Sequence, residues 1–132
     1  MVCSVIAVKF PAMRREVMRA LAALADQPYQ QQVWFGHKYP HEDYFDDLTV
    51  CVHILYDDAQ VLPEPSSRVG SVLLDGDELA RLRQLGAVLD VLLESHGDAP
   101  DVEYLSDLRW ANVARSAGLA LAAMVRGWGF ND

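Results

Sequence analysis

Apolar residues recur at helical spacing near the start of this chain. Between residues 12 and 26 they repeat every three or four positions, which places them on one face of a helix. These residues are Met13, Val17, Leu21 and Leu24. Pro28 stops the pattern, because proline cannot continue a helix. The spacing therefore predicts a first helix over residues 12–26.

The strongest helical pattern lies in the third quarter. Asp75 is followed three residues later by Glu78, which is the capping-box pattern with aspartate in place of serine or threonine. Leucines then repeat at helical spacing, namely Leu79, Leu82, Leu85, Leu89 and Leu92. Gly97 supplies the C-terminal stop. A long helix is predicted here.

A last helix is predicted to begin near Ser106 or Asp107 and to end at Gly127. Its apolar stripe is formed by Trp110, Val113, Ala117, Leu121 and Met124. Gly118 lies within this stretch, where a residue without a side chain allows another helix to approach closely.

The central run, residues 46–58, is apolar between two pairs of aspartates. Strict alternation and β-branched content suit a strand, whereas helical spacing collects Phe45, Leu48, Val52 and Leu55 on one face. A helix that starts at Phe45 with Asp43 as its N-cap agrees better with the helical neighbours.

These patterns predict an all-α protein, a compact bundle of four to six helices with irregular loops. A short N-terminal strand within residues 1–10 stays open. Residues 13–127 are expected to form a single helical domain, and residues 128–132 a C-terminal tail. Residues 1–12 read as an N-terminal extension, since Met13 could be the biological start.

The net charge of −8 is unevenly distributed. Residues 1–40 carry five basic and two acidic side chains, residues 41–107 carry three and sixteen, and residues 108–132 carry three and one. So acidic a middle section argues against nucleic acid as a partner, because phosphates need the opposite charge. It suits a basic protein partner.

Other features point to a cytoplasmic protein. No apolar run is long enough to cross a membrane, and the N-terminus lacks the basic residue and cleavage site of a signal peptide. Cys3 and Cys51 are isolated and show no metal or redox spacing.

Two kinds of site are open on these residues. The aspartates Asp46, Asp47, Asp57 and Asp58, with Trp34 or Phe35 as an aromatic anchor, could form a partner-binding surface. Alternatively, His53 and Asp57 at i, i+4 share one helical face and could serve a metal-dependent hydrolase. No cofactor motif is present, and the sequence leaves the metal question open.

Several short motifs carry a resemblance. They are Met13-Arg14-Arg15-Glu16-Val17, Tyr29-Gln30, Val33-Trp34, Tyr39-Pro40, Val52-His53-Ile54-Leu55-Tyr56-Asp57-Asp58, Val61-Leu62-Pro63, Arg68-Val69-Gly70, Tyr104-Leu105 and Trp110. In these the chain resembles an uncharacterised family of short acidic actinobacterial proteins over about residues 13–125. The resemblance implies no activity.

The second half is similar, more loosely, to immunity proteins of bacterial toxin systems. The similar features are His53-x-Leu55-Tyr56-Asp57-Asp58, Val69-Gly70, a helix led by Glu78, Tyr104-Leu105 and Trp110-x-x-Val113. Leu108 stands where those proteins have a proline. The likeness implies an acidic face that meets a basic toxin.

The leading hypothesis is therefore a non-catalytic protein-binding module with a basic partner, for which an immunity protein is one form. The alternative is the small hydrolase built on His53 and Asp57. A homodimer that covers its own exposed apolar surface is a third possibility.

Overall fold

A computed structural model describes residues 7–130 of the chain. Its six α-helices are α1 Pro11–Ala25, α2 Gln27–Tyr29, α3 Leu48–Val52, α4 Asp77–His96, α5 Asp101–Leu105 and α6 Trp110–Gly127. α2 continues into a π-helical segment, Gln30–Phe35, and α3 into another, His53–Asp58. Pro65–Arg68 is a 3-10 helix. Residues 7–130 contain no β-strand, so the predicted all-α class is confirmed.

α6 occupies the middle of the three long helices, because it packs against both α1 and α4. Much of its buried face is alanine, which lets the neighbouring helices approach closely. The buried alanines are Ala114, Ala117, Ala120 and Ala123. α3 and its π-helical continuation pack on α1. None of the helices in the described part is both long and apolar enough to span a bilayer.

The position of the first helix was predicted correctly, but the set of residues on its buried face was not. Val17, Leu21 and Leu24 are buried as expected. Arg14 is also buried, with no exposed surface, whereas Met13 is only partly covered. Arg14 is therefore a core residue, whereas the neighbouring Arg15 and Arg19 are exposed.

Arg14 uses all five of its N–H groups. Its Nη atoms donate to the two carboxylate oxygens of Glu78 at 2.8 and 2.6 Å. The remaining donors reach the carbonyl oxygens of Val72 at 3.0 Å, Met124 at 3.2 Å and Trp128 at 2.6 Å. A buried charge is tolerated only when it is paired and fully hydrogen-bonded, and this guanidinium meets both conditions.

The start of α4 differs from the predicted capping box. Gly76 stands at the N-cap position without a side-chain cap, and Asp75 accepts only the adjacent N–H of Gly76. Glu78 points inward to Arg14 instead of back along the helix, and it also accepts the N–H of Leu74 at 2.9 Å. The burial of Arg14 explains the difference, because the carboxylate is needed there.

The start of α6 was also predicted too early, because the helix begins at Trp110. Asp107 instead lies in the short turn that precedes the helix, where its Oδ1 accepts the backbone N–H of Arg109 at 2.8 Å. The Nε2 atom of His96 lies 2.8 Å from the other oxygen of Asp107. The hydrogen bonds from Arg109 and His96 lower the pKa of Asp107.

Both ends of the described chain join the fold around Arg14. The backbone N–H groups of residues 8–10 donate to the carbonyls of Gly129, Gly70 and Ser71 at 2.8–3.0 Å. Phe130 is buried, and its ring centroid lies 5.7 Å from the guanidinium carbon. Residues 8–10 thus belong to the domain rather than to the predicted extension. The predicted N-terminal strand lies largely in residues 1–6, outside the described residues, as do residues 131–132 of the predicted tail.

We expect Arg14→Met to lower the free energy of unfolding by about 3–5 kcal/mol, because it leaves the carboxylate of Glu78 buried without a cation. Arg19→Met is the matched control, since Arg19 is 75% exposed and, among residues 7–130, pairs only with Glu16 at 3.4 Å. The control should cost less than about 1 kcal/mol. Urea unfolding followed by circular dichroism measures both, and equal losses would contradict the role of Arg14.

Gly129→Ala is expected to destabilise the protein more than Gly97→Ala. Both glycines have positive φ, at +83° and +54°, so each alanine carries backbone strain of about 1–3 kcal/mol. A Cβ at Gly129 would also lie 2.6 Å from Nε of Arg14, whereas one at Gly97 meets nothing within 4 Å. Thermal unfolding of the two variants compares them. Equal melting temperatures would show that Arg14 can move aside.

Candidate partner-binding site

The central run is helical, which is the structure that the sequence favoured over a strand. The helix begins later than predicted. α3 starts at Leu48, and Asp47 is its N-cap, with Oδ1 accepting the N–H of Val50 at 2.9 Å. The predicted start at Phe45 with Asp43 as the cap was therefore wrong. Phe45 precedes the helix and is 61% exposed.

The second half of the central helix is widened. The N–H of Ala59 donates to the carbonyl of Ile54 at 2.9 Å, an i to i+5 hydrogen bond that marks a π-helical turn. A wider turn changes which side chains face inward. Ile54 is buried together with Leu55, while Val52, on the predicted stripe, is only partly covered. A period of 3.6 residues could not predict this shift.

Asp46, one of the predicted partner-binding residues, lies in the interior. It is 9% exposed, and its Oδ2 accepts the hydroxyl of Tyr29 at 2.8 Å and the indole N–H of Trp34 at 2.9 Å. Trp34 is 3% exposed and packs edge-on against Trp110, with ring centroids 6.2 Å apart. Trp34 is thus a core residue, and Phe35 is the one of the two proposed anchors that reaches solvent.

The polar contacts that hold this region were missed by the sequence reasoning. The side chain of Asp26 caps α2 by accepting the N–H of Tyr29 at 3.1 Å. Gln30 is buried, accepts the indole N–H of Trp110 at 2.8 Å, and donates to the carbonyls of Ala23 and Leu24. Gln30 precedes the apolar Val33 and Trp34 by three and four residues, which is helical spacing. This spacing could have indicated that Gln30 shares their buried face.

Phe35 and Phe45 flank an open cleft of about 330 Å³, which we call the acidic cleft. Its lining includes Phe35, Tyr39, Phe45, Asp47, Pro100 and Asp101. Phe35 is 57% exposed, and the ring centroids of Tyr39 and Phe45 are 5.8 Å apart. An aromatic rim around carboxylates gives the cleft both apolar contact area and negative charge.

The protein balances the charge in the acidic cleft only in part, through His37, which also lines the cleft. Asp101 accepts the N–H of Leu48 at 3.1 Å. Burial raises the pKa of Asp101, and the charges of Asp47 and Asp46 add to the rise. The hydrogen bond from Leu48 and the charge of His37 oppose it. Within residues 7–130, no basic side chain forms an ion pair with Asp47 or Asp101.

The structure does not bring all four predicted aspartates together. Asp47 stands at the start of the central helix and Asp57 at its end, on the order of 15 Å away at the usual helical rise. Asp57 pairs with His53, and both side chains are 61% exposed. Asp58 is exposed beside them. The cluster that does form joins Asp47 to Asp101, a residue that the sequence did not single out.

The described residues contain neither a group that could hold a metal ion nor an activated thiol. No three His, Cys, Asp or Glu side chains of the described residues are grouped so that they could hold a metal ion. Burial raises the pKa of the Cys51 thiol, and the nearby carboxylates of Asp46, Asp47 and Asp101 add to the rise. A thiol held protonated is a poor nucleophile. The acidic cleft instead offers acceptor oxygens and aromatic surface to a cation.

Comparison with known proteins places the chain in a family. No curated protein and no solved structure matches it. A family model described as "Domain of unknown function (DUF7945)" matches residues 8–129, which includes the helices and the acidic cleft. The match agrees with the resemblance to an uncharacterised family. The chain belongs to this family, the DUF7945 domain.

Proposed function

We propose that the protein is a non-catalytic binding module that presents its acidic cleft to a basic protein. The observation that carries the proposal is the placement of two exposed phenylalanines, Phe35 and Phe45, beside two carboxylates, Asp47 and Asp101. Neither carboxylate forms an ion pair with a basic side chain of the described residues.

The aromatic rim supports a protein partner. Large side chains that are more than half exposed lose the stabilisation that burial would provide. Aromatic residues dominate the binding energy of many interfaces, because they bury a large area at a small entropic cost. The sequence predicted Trp34 or Phe35 as the aromatic anchor. We assign this role to Phe35 together with Phe45, because Trp34 is buried.

The charge supports a basic partner. The net charge of −8 attracts a basic protein over a long range. At short range, a lysine or arginine in the acidic cleft would relieve the repulsion between Asp47 and Asp101. Complementary charge of this kind speeds association and excludes acidic competitors.

An immunity protein of a bacterial toxin system is the form of this function that we favour. Such a protein binds a basic toxin domain and performs no chemistry, and the second half of the chain resembles this class. The hydrolase alternative on His53 and Asp57 has less support, because neither residue belongs to a metal-binding group within the described residues.

We expect Asp47→Asn combined with Asp101→Asn to weaken partner binding by more than about tenfold. Asparagine caps a helix as well as aspartate does, so the fold should be retained. The partner is first captured from lysate of the source organism and identified by mass spectrometry. Binding of the purified partner is then measured by calorimetry at low and high salt, since screening should reduce the affinity.

The matched control is Asp57→Asn combined with Asp58→Asn, which removes the same charge at the far end of the central helix. We expect this control to change the affinity by less than about threefold, through long-range attraction alone. Equal weakening by both pairs would mean that only overall charge matters. Binding that does not respond to salt or to the first pair would overturn the proposal.

We expect Asp101→Asn to raise the melting temperature at neutral pH. The pKa of Asp101 is raised in the folded protein, so its ionised form opposes folding, and the wild type loses stability as the pH rises from the ordinary aspartate range through the folded pKa. The amide oxygen can still accept the N–H of Leu48.

This gain should shrink as the pH falls through the folded pKa toward the ordinary aspartate range. Below that range it should be absent, because the carboxyl is protonated in both folded and unfolded chains. Melting curves of wild type and variant across the acid range test the sign. A variant less stable than the wild type at neutral pH would show that the charge of Asp101 stabilises the fold.

A further inference from the structure

A second cleft, which we call the α1 cleft, lies between α1 and α3 and has a volume of about 400 Å³. Phe45 lines both clefts. The apolar part of the α1 cleft is formed by short or aliphatic side chains, among them Ala20, Ala23, Cys51 and Ile54. Its polar part includes Tyr29, Tyr44 and Asp46.

The polar end of the α1 cleft presents acceptors rather than donors. The hydroxyl of Tyr29 donates to Asp46, so the hydroxyl of Tyr44 must donate to Tyr29 in the hydrogen bond between them. Both hydroxyl protons are thus committed, and burial followed by these hydrogen bonds raises the pKa of Tyr29. What remains toward the cleft are oxygen lone pairs.

One oxygen of the buried carboxylate is free. Oδ2 of Asp46 takes both hydrogen bonds, from Tyr29 and Trp34, while Oδ1 accepts none from the described residues. Among the described residues, Nε of Arg68 is the only fully buried side-chain nitrogen or oxygen that lacks a hydrogen-bond partner. Oδ1 of Asp46 also lacks a partner among these residues, so it is not fully buried and retains some contact with solvent. Asp46 lines the α1 cleft, so its carboxylate stands at the wall that a ligand in the cleft would meet.

The cleft also carries excess negative charge. Asp26, Asp43 and Asp46 line it, and none of them forms an ion pair with a basic side chain of the described residues. Of the two basic residues of the lining, Arg19 is paired with Glu16 at 3.4 Å, and the other is His41. A ligand that fits must therefore donate hydrogen bonds and carry positive charge.

We infer that the α1 cleft binds the guanidinium of an arginine side chain from the basic partner, with Asp46 as its buried acceptor. The inference rests on the proposed function for the source of the arginine. A planar guanidinium can meet several acceptors at once and stack on the rings of Tyr44 and Phe45, which an ammonium cannot do as well. The aliphatic stem would lie along Ala23 and Ile54.

The test uses three capped tripeptides, acetyl-Gly-Xaa-Gly-amide, with arginine, lysine or citrulline at the centre. Citrulline keeps the shape of arginine but has no charge. We expect the arginine peptide to bind at least about tenfold more tightly than the citrulline peptide, and more tightly than the lysine peptide. Titration followed by amide NMR shifts measures each affinity. Equal binding of the arginine and citrulline peptides would overturn the inference.

Two variants locate the binding. Ala22→Lys places a cation in the α1 cleft from an exposed position of α1, and Ala122→Lys makes the same change at an exposed position of α6 outside the cleft. We expect the first to abolish arginine binding and the second to leave it unchanged. Asp46→Asn, which keeps an acceptor for Tyr29 and Trp34, should weaken arginine binding at least about tenfold. Binding that survives both cleft variants would place the arginine elsewhere.

The two proposals fail differently. If the arginine peptide does not bind but a basic partner is captured through Asp47 and Asp101, only the inference about the α1 cleft is wrong. If the peptide binds at the α1 cleft but no partner depends on the acidic cleft, only the proposed function is wrong.

Discussion

The fold is organised around the guanidinium of Arg14, where the start, middle and end of the described chain meet. Its five donors connect α1 with the carboxylate at the start of α4 and with carbonyls near the end of α6. The backbone passes close to this ion pair: a Cβ at Gly127 would clash with Oε2 of Glu78, and one at Gly129 would lie 2.6 Å from Nε of Arg14. The ion pair thus constrains the backbone beyond its own contacts.

Helical periodicity predicted the long helices well, because most of their buried positions are apolar. It failed at Arg14 and Glu78, because charged residues are normally assigned to solvent. Both nevertheless continue an apolar stripe, Arg14 before Val17 and Leu21, and Glu78 before Leu82. A pair of opposite charges at such positions on two helices is the signal that could have identified the buried ion pair.

The candidate site was less predictable, because it depends on loops and on residues far apart in sequence. Whether Trp34 or Phe35 faces outward depends on a π-helical turn and on the acceptor Asp46, neither of which follows from spacing. Asp101 joins Asp47 only through the packing of α5 beside the start of α3, with Leu48 as the shared contact. The aspartates close together in the sequence therefore led to the prediction of one acidic face, which the structure does not form. The same reasoning did not identify Asp101, which completes the acidic cleft.

The same kind of charge has opposite roles in the two halves of the molecule. At Glu78 the fold needs the ionised form, because Arg14 is buried beside it. At Asp47 and Asp101 the fold needs only an oxygen that accepts a backbone N–H, and a neutral amide would serve as well. The negative charge of Asp101 raises the free energy of the folded state, and the hydrogen bond from Leu48 does not require that charge. A cation from outside the chain removes that cost, which is the physical reason to regard the acidic cleft as a binding surface.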